Sequence, residues 1–209
     1  MPTKVPPPPE NWAPKTKVGK MVVERKIMTM LDVILNGHVV QEAEVIKLLI
    51  PDLEYEVLEI KLVQKQTDAG EKSRFRATVV VGNRNGWIGI GSSKAKQVHR
   101  AIEKALNKAL LNVIPVRRGC GSWECSCGIA HSLAVTTEGK CGSVRVKILP
   151  GPRGLGIVAG ETAKTILELA GINDCWVIAK GETRTILSYA NAVYNALKNT
   201  YVIQTKDVW

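Results

Sequence analysis

From Val57 onward the apolar residues of this chain recur with a period of two, and no other feature limits its fold as strongly. Leu58, Ile60 and Leu62 alternate with Glu59, Lys61 and Val63, while Phe75, Ala77, Val79 and Val81 alternate with Arg74, Arg76, Thr78 and Val80. Alternation sends successive side chains to opposite faces of a sheet. Asn85-Gly86, between Val79–Val81 and Trp87–Ile90, is the strongest short-range hairpin signal, because both positions of such a turn need φ > 0. The period then changes. Val98, Ile102, Leu106, Ala109 and Val113 fall at helical spacing, and Lys96, Arg100, Lys104 and Lys108 recur every four residues on another face. Three strands and a helix predict one α+β unit over residues 57–113, with Gln66–Ser73 as a basic loop.

The flanking segments read differently. Residues 1–25, with the Pro6–Pro9 run and scattered lysines, bury too little to order themselves, so a basic Pro-rich tail that orders only against a partner is expected. Residues 26–56 predict an acidic helical extension. Ile27, Met30, Leu31 and Ile34, then Val45, Ile46, Leu48 and Leu49, are broken by Asn36-Gly37 and stopped by Pro51. Its acidity repels nucleic acid and suits a protein neighbour. A second α+β unit is expected over residues 114–209. It opens with strand Ile114–Val116 and Arg117-Arg118, then alternates Val144, Val146 and Ile148 with Ser143, Arg145 and Lys147. A Gly/Pro loop, Pro150–Gly156, leads to a helix through Ile166, Leu167 and Ala170 that ends at Gly171 as a C-cap. Strand Cys175–Ala179 and a helix through Tyr189, Val193, Ala196 and Leu197 follow. The fold class is α+β with two domains and an extended N-terminal segment.

Charge narrows the function. Lys61–Arg118 carries 13 of the 29 Lys and Arg residues against three acids, so this one segment equals the whole net charge of +10. Such a cluster repels itself unless a polyanion neutralises it, which makes Lys65, Lys72, Arg74, Arg76, Arg84, Lys94, Lys96, Arg100, Lys104, Arg117 and Arg118 candidate nucleic-acid contacts. The bland alternative for Lys65–Arg76 is a solvated hairpin tip. A single Phe argues against stacking platforms for unpaired bases. No run of about 18 apolar residues and no signal-peptide core is present, so no membrane partner and a cytoplasmic location are expected. Five cysteines, an odd number, do not suit a disulfide framework.

Motif chemistry is sparse. Gly86–Lys94 (GWIGIGSSK) approaches a phosphate-binding loop but lacks Gly-Lys followed by Ser or Thr, so its glycines fit strand twist and close backbone approach. Gly154–Gly160 spaces its glycines as GxGxxxG, not GxGxxG. Cys120, Cys125, Cys127 and His131 place four soft ligands within twelve residues among glycines that permit a tight knuckle. Either they hold a structural zinc or the cysteines are small buried hydrophobes. Cys141 and Cys175 read as core. His38, His99 and His131 lack a partner at a catalytic spacing, so no enzyme, no small-molecule substrate and no required cofactor are expected.

Three longer stretches then carry a likeness. Val63–Gly91, Ile114–Glu124 (IPVRRGCGSWE) and Gly139–Asp174 together resemble ribosomal protein five of the small subunit, archaeal type, over nearly all of residues 11–200. The resemblance implies a double-stranded-RNA-binding-like N-terminal domain and a second α+β domain shared with nucleotide-handling proteins, without their catalysis. It also implies binding to small-subunit rRNA between body and head, a place along the path by which mRNA enters, support of translational accuracy, and ribosomal proteins four and eight as neighbours. By position, Gln66–Arg76 becomes the basic element reaching toward rRNA. Arg145, Lys147 and Arg153 join the RNA contacts, and Gly154 and Lys164 fall where the family meets protein four. A free-standing double-stranded-RNA-binding regulator and a zinc- or thiol-dependent enzyme are the alternatives.

Overall fold

The computed structural model describes residues 2–7, 12–50, 52–125 and 127–201. Pro8 and Pro9 of the proline run and the expected stop at Pro51 lie outside the described residues. A short strand, β1 (Thr3–Lys4), precedes three short helices: α1 (Lys17–Val23), α2 (Met30–Leu35) and α3 (Ala43–Leu49). The N-terminal segment does not wait for a partner, as its composition suggests, but packs on its own chain. β1 pairs antiparallel with Tyr55 and Glu54, Val5 N–H donates to the Leu53 carbonyl at 2.9 Å, and Val18 is buried. Glu42 Oε1 accepts from the backbone N–H groups of Lys15 and Thr16 at 2.9 and 2.7 Å. A free strand edge and one carboxylate supply backbone partners that a polar segment can use without a core of its own.

In α2 a capping box joins Thr29 and Asp32, each side chain accepting from the other's backbone N–H. Ile27, Met30, Val45 and Ile46 are buried as their spacing predicts. Leu31, Ile34 and Leu48 are exposed instead, with Met28, Leu35 and Val39, and Val33 takes the inward position of α2.

The alternating segments form a five-stranded antiparallel sheet ordered β1-β2-β3-β4-β5, with β2 Glu54–Thr67, β3 Gly70–Gly82, β4 Trp87–Ala95 and β5 Ile114–Pro115. β2 and β3 pair from Glu54↔Gly82 to Thr67↔Gly70, so the expected loop Gln66–Ser73 is the end of a long two-stranded ribbon turned at Asp68-Ala69. Polar cross-strand bonds carry the ladder outward, Gln64 Nε2 donating to Glu71 Oε2 at 3.1 Å and Ser73 Oγ at 3.2 Å. The β3–β4 connection spans Asn83–Gly86, and its positive φ values fall on Arg84 and Gly86 rather than on Asn85. A local and a distant contact set this turn: Asn83 Oδ1 accepts from the N–H groups of Asn85 and Trp87, and Arg84 N–H donates to the distant Leu169 carbonyl at 2.8 Å.

Helix α4 (Val98–Leu111) covers one sheet face, but its buried stripe is Ala101, Ala105, Leu106, Ala109 and Leu110, rotated from the expected one. Backbone proximity causes the rotation. A Cβ on Gly91 would stand 2.3 Å from the Ala105 carbonyl oxygen and the Ala109 nitrogen. Glycines on the strand and alanines on the helix let the backbones touch.

β5 pairs with β4 (Trp87↔Pro115, Ile88↔Ile114), so the strand expected to open the second unit completes the first sheet. A two-stranded clip, β6 (Arg118–Gly119) with β7 (Ser132–Leu133), leads into a four-stranded sheet ordered β10-β11-β9-β8. Its strands are β8 Thr137–Cys141, β9 Val144–Pro150, β10 Ile157–Val158 and β11 Cys175–Lys180. Helices α5 (Glu161–Ala170) and α6 (Ile186–Lys198) lie on one face, and α5 ends at Gly171 in the left-handed region at φ 80°.

Val144, Val146 and Ile148 point inward as the alternation predicts. The two α+β units then share a core. Val80, Ile88 and Ile90, on the sheet face away from α4, are buried in one cluster with Ile148, Ile166, Leu167, Tyr189 and Val193. Ala77, Val79 and Val81 face α4 in a second cluster. The layers therefore run α4, first sheet, α5 with α6, second sheet. Each buried Leu or Ile contributes about 1.5–3 kcal/mol relative to exposure, so the middle layer holds both sheets together.

Candidate nucleic-acid interface and metal centre

Register decides which cations meet. Arg76 is paired with Lys61 on one side and Lys94 on the other, Lys72 faces Lys65, and Arg74 faces Val63. Directly paired residues share a face, so Lys61, Lys65, Lys72, Arg74, Arg76 and Lys94 form one stripe on the face away from α4. Like charges placed directly opposite destabilise a sheet, so this stripe costs the isolated protein stability. Lys61 meets Glu59, but among the described residues no carboxylate pairs with Lys65, Lys72, Arg74 or Lys94. Among the described residues the buried Arg76 Nε has no hydrogen-bond partner. The tip also opens a hollow of about 370 Å³ lined by Lys65, Lys72, Arg74 and Lys94.

The remaining candidate cations lie elsewhere. Arg100 and Lys104 are exposed on α4, on the other side of the first sheet, and Lys96 is exposed just before it, so strand and helix cations do not merge into one patch. Arg84 is tied to Glu54 at 2.9 Å, and Arg118 donates to Asn85 Oδ1. Arg117 N–H donates to Thr200 Oγ1 at 3.2 Å. Arg145 and Lys147 stand on the open face of the second sheet. There Lys140, Arg145 and Lys180 are consecutive cross-strand partners, and Lys147 meets Glu138 at 3.0 Å. Lys61, Lys140 and Lys180 join these stripes only through strand register, which the sequence does not display. Lys164 is exposed on α5.

The second constellation is compact. The ligand atoms of Cys120, Cys125, Cys127 and His131 all lie within 4.8 Å of one another, with Cys125 Sγ 3.8 Å from His131 Nε2. Tetrahedral zinc with Zn–S of about 2.3 Å sets ligand separations near about 3.8 Å, so this cage is close to closure around one ion. His131 is buried and its Nδ1 lies 2.8 Å from Asp174 Oδ2, which leaves Nε2 toward the thiols. A carboxylate behind a ligating imidazole is the usual support of a zinc histidine. The Arg153 backbone N–H, followed by the Cys127 groups, pulls the Cys125 thiol down to about 6. Cys120 is pushed up, chiefly by burial. A thiolate at neutral pH is the form that binds metal. Cys141 is half-buried and Cys175 is buried, its thiol pushed up to about 12, first by burial and then by Asp174.

Asp174 is the site residue that motif reading misses, because a single acid after a helix C-cap has no distinguishing spacing. Its other oxygen, Oδ1, accepts from Gly154 N–H at 3.0 Å and Gly156 N–H at 2.8 Å. Gly154 adopts φ 88° with open space where a Cβ would stand.

Comparison with known proteins places this architecture. Residues 53–117 match the family model described as ribosomal protein S5, N-terminal domain, and residues 139–209 match ribosomal protein S5, C-terminal domain. The chain is 54% identical over 200 residues to the small ribosomal subunit protein uS5 of Staphylothermus marinus, covering 96% of this chain and 94% of that one. It is 52% identical to the uS5 of Aeropyrum pernix, with coverages of 96% and 92%, and 52% identical to that of Pyrobaculum arsenaticum, with coverages of 91% and 94%.

Proposed function

The chain belongs to the ribosomal protein S5 family, and on that premise we propose that it binds small-subunit rRNA between body and head, lines the path by which mRNA enters, and supports decoding accuracy. Family membership makes it a structural, non-enzymatic component of the small ribosomal subunit. The observation that carries the RNA reading is the stripe Lys61, Lys65, Lys72, Arg74, Arg76 and Lys94, in which only Lys61 meets a carboxylate among the described residues. Phosphates falling on it would relieve the repulsion between its rows, releasing counterions and giving strongly salt-dependent, shape-selective binding without base readout. Arg145, Lys147 and Arg153 extend the contact to the second domain, and the α4 cations serve a different segment of the same RNA.

Ribosomal proteins four and eight are the proposed protein neighbours. Gly154 and Lys164 face protein four, and the exposed apolar residues Met28, Leu31, Ile34, Leu35 and Val39 of the acidic extension suit a protein surface better than RNA. Cys120, Cys125, Cys127 and His131 are proposed to hold one structural zinc, which would cross-link the knuckle without entering any reaction.

Co-sedimentation tests the main reading. The tagged chain should run with small-subunit particles in a sucrose gradient, and its absence from them would favour a free-standing double-stranded-RNA-binding regulator. Gly154→Asp should raise misreading in a decoding reporter while leaving subunit yield nearly unchanged. Normal fidelity would remove the assigned contact with protein four.

A further inference from the structure

Behind the candidate metal cage, Asp174 and Ser132 tie a Gly/Pro loop to His131 through several hydrogen bonds. Asp174 is 5% exposed and both its carboxylate oxygens are used: Oδ2 meets His131 Nδ1, and Oδ1 accepts from the Gly154 and Gly156 N–H groups. Ser132 Oγ donates to the Asp174 backbone carbonyl and accepts from Gly151 N–H at 3.2 Å. Backbone N–H groups of Asn173 and Asp174 both donate to the His131 carbonyl, at 2.9 and 3.3 Å. Three backbone N–H groups of one short Gly/Pro loop, from Gly151, Gly154 and Gly156, thus end on Asp174, which supports the four-ligand cage, or on Ser132, which is bonded to it.

From this geometry we infer that metal occupancy sets the conformation of the Gly151–Gly156 loop, with Asp174 as the positioning residue that couples the two. The inference rests on the zinc reading given above and adds a consequence to it. A cation on His131 Nε2 fixes the tautomer with hydrogen on Nδ1, so the imidazole becomes an obligate donor to Asp174. It also polarises that N–H. Asp174 is thereby held as the acceptor in a fixed rotamer, and its second oxygen holds the two glycine amides. Gly154 and Gly156 have φ values of 88° and 76°, and no atom lies within 4 Å of where their Cβ atoms would be. No side-chain packing holds them at these positions; their N–H groups are held by the carboxylate, and the Gly156 carbonyl also accepts from Cys175 N–H at 3.2 Å. With the cage empty, both imidazole tautomers become available, the thiolates repel one another, and the restraint on the loop weakens.

The test compares the full-length chain with and without zinc, with metal content measured first. In wild type, removing zinc with a chelator should speed amide exchange at Gly154 and Gly156 by tenfold or more, while Val146 and Ile148 amides in β9 stay protected. In Asp174→Ala these two glycine amides should exchange fast with zinc or without it. Asp174→Asn, which cannot accept from Nδ1–H while also serving the glycines, should weaken zinc affinity by about 10–100-fold in chelator competition. Should Asp174→Ala fail to fold, His131→Cys keeps four ligands but deletes the imidazole, and its glycine amides should no longer respond to zinc. Unchanged glycine exchange on removing zinc from wild type, or wild-type zinc affinity in Asp174→Asn, would overturn the coupling while leaving the zinc reading intact. A wild-type chain that takes up no zinc ends the zinc reading and this consequence together, and the metal assay identifies that case before any exchange is measured.

Discussion

The outer half of the β2–β3 ribbon stands clear of the core while the knuckle around His131 borders it, and the two are stabilised in opposite ways. The ribbon beyond Leu62 and Phe75 has almost no burial; its strands hold one another through the ladder and a few side-chain bonds. Its cations Lys65, Lys72 and Arg74 are exposed, and among the described residues no carboxylate pairs with them. The knuckle satisfies itself internally, with Asp174, Ser132 and the Gly151–Gly156 amides forming a closed set of bonds. A segment left unneutralised is one whose missing interaction comes from a partner, whereas a satisfied cluster organises its own chain.

If that contrast is right, perturbations at the two places must differ in kind. The largest effect on folding should come from neither, but from the layer between the sheets. Leu167→Ala, at a fully buried position, should cost about 2–5 kcal/mol in denaturant unfolding of the full chain. Replacing the ribbon tip from Gln64 to Ser73 by a two-residue turn should leave that stability within about 1 kcal/mol, because it removes little buried surface. A comparable loss from both changes would break the contrast.

Next in size, Arg74→Glu with Arg76→Glu should weaken binding to small-subunit rRNA and make the slope of log K against log salt shallower by roughly two contacts' worth, about 1.4–1.8. Binding unchanged at every salt concentration would remove the stripe from the interface.

The smallest effect concerns pH. The Cys125 thiol is depressed from 9.0 to about 6, so whatever stability its thiolate contributes is fully present above about pH 9 and lost as pH falls through about 6. Zinc retention measured between pH 8 and pH 5 should hold to near pH 6 and then fall. RNA binding by the ribbon, which contains none of the cage ligands, should not follow it.

Much of this fold is legible in the order of the residues. Period-two alternation locates β2, β3, β4 and β9, helical spacing locates α4, α5 and α6, and Gly171 marks the end of α5, because these signals depend on residues near one another in the chain. The four cage ligands are visible for the same reason, since three cysteines and a histidine fall within twelve residues. The departures from expectation share one cause. The rotated face of α4, the ordered N-terminal segment and the place of β5 each depend on a contact with something distant: Gly89 and Gly91, the edge of β2, the edge of β4.

Sequence alone settled the α+β class, the excess of charge in Lys61–Arg118 and the donor set of the knuckle, since composition and short-range spacing carry that information. Only the tertiary structure decided which cations stand side by side and which acid supports His131. Strand register selects Lys61, Arg76 and Lys94 as neighbours from a larger set of bases. Chain crossing brings Asp174 to His131 across 43 residues. Both are choices among many distant pairings, and packing, not local propensity, makes them.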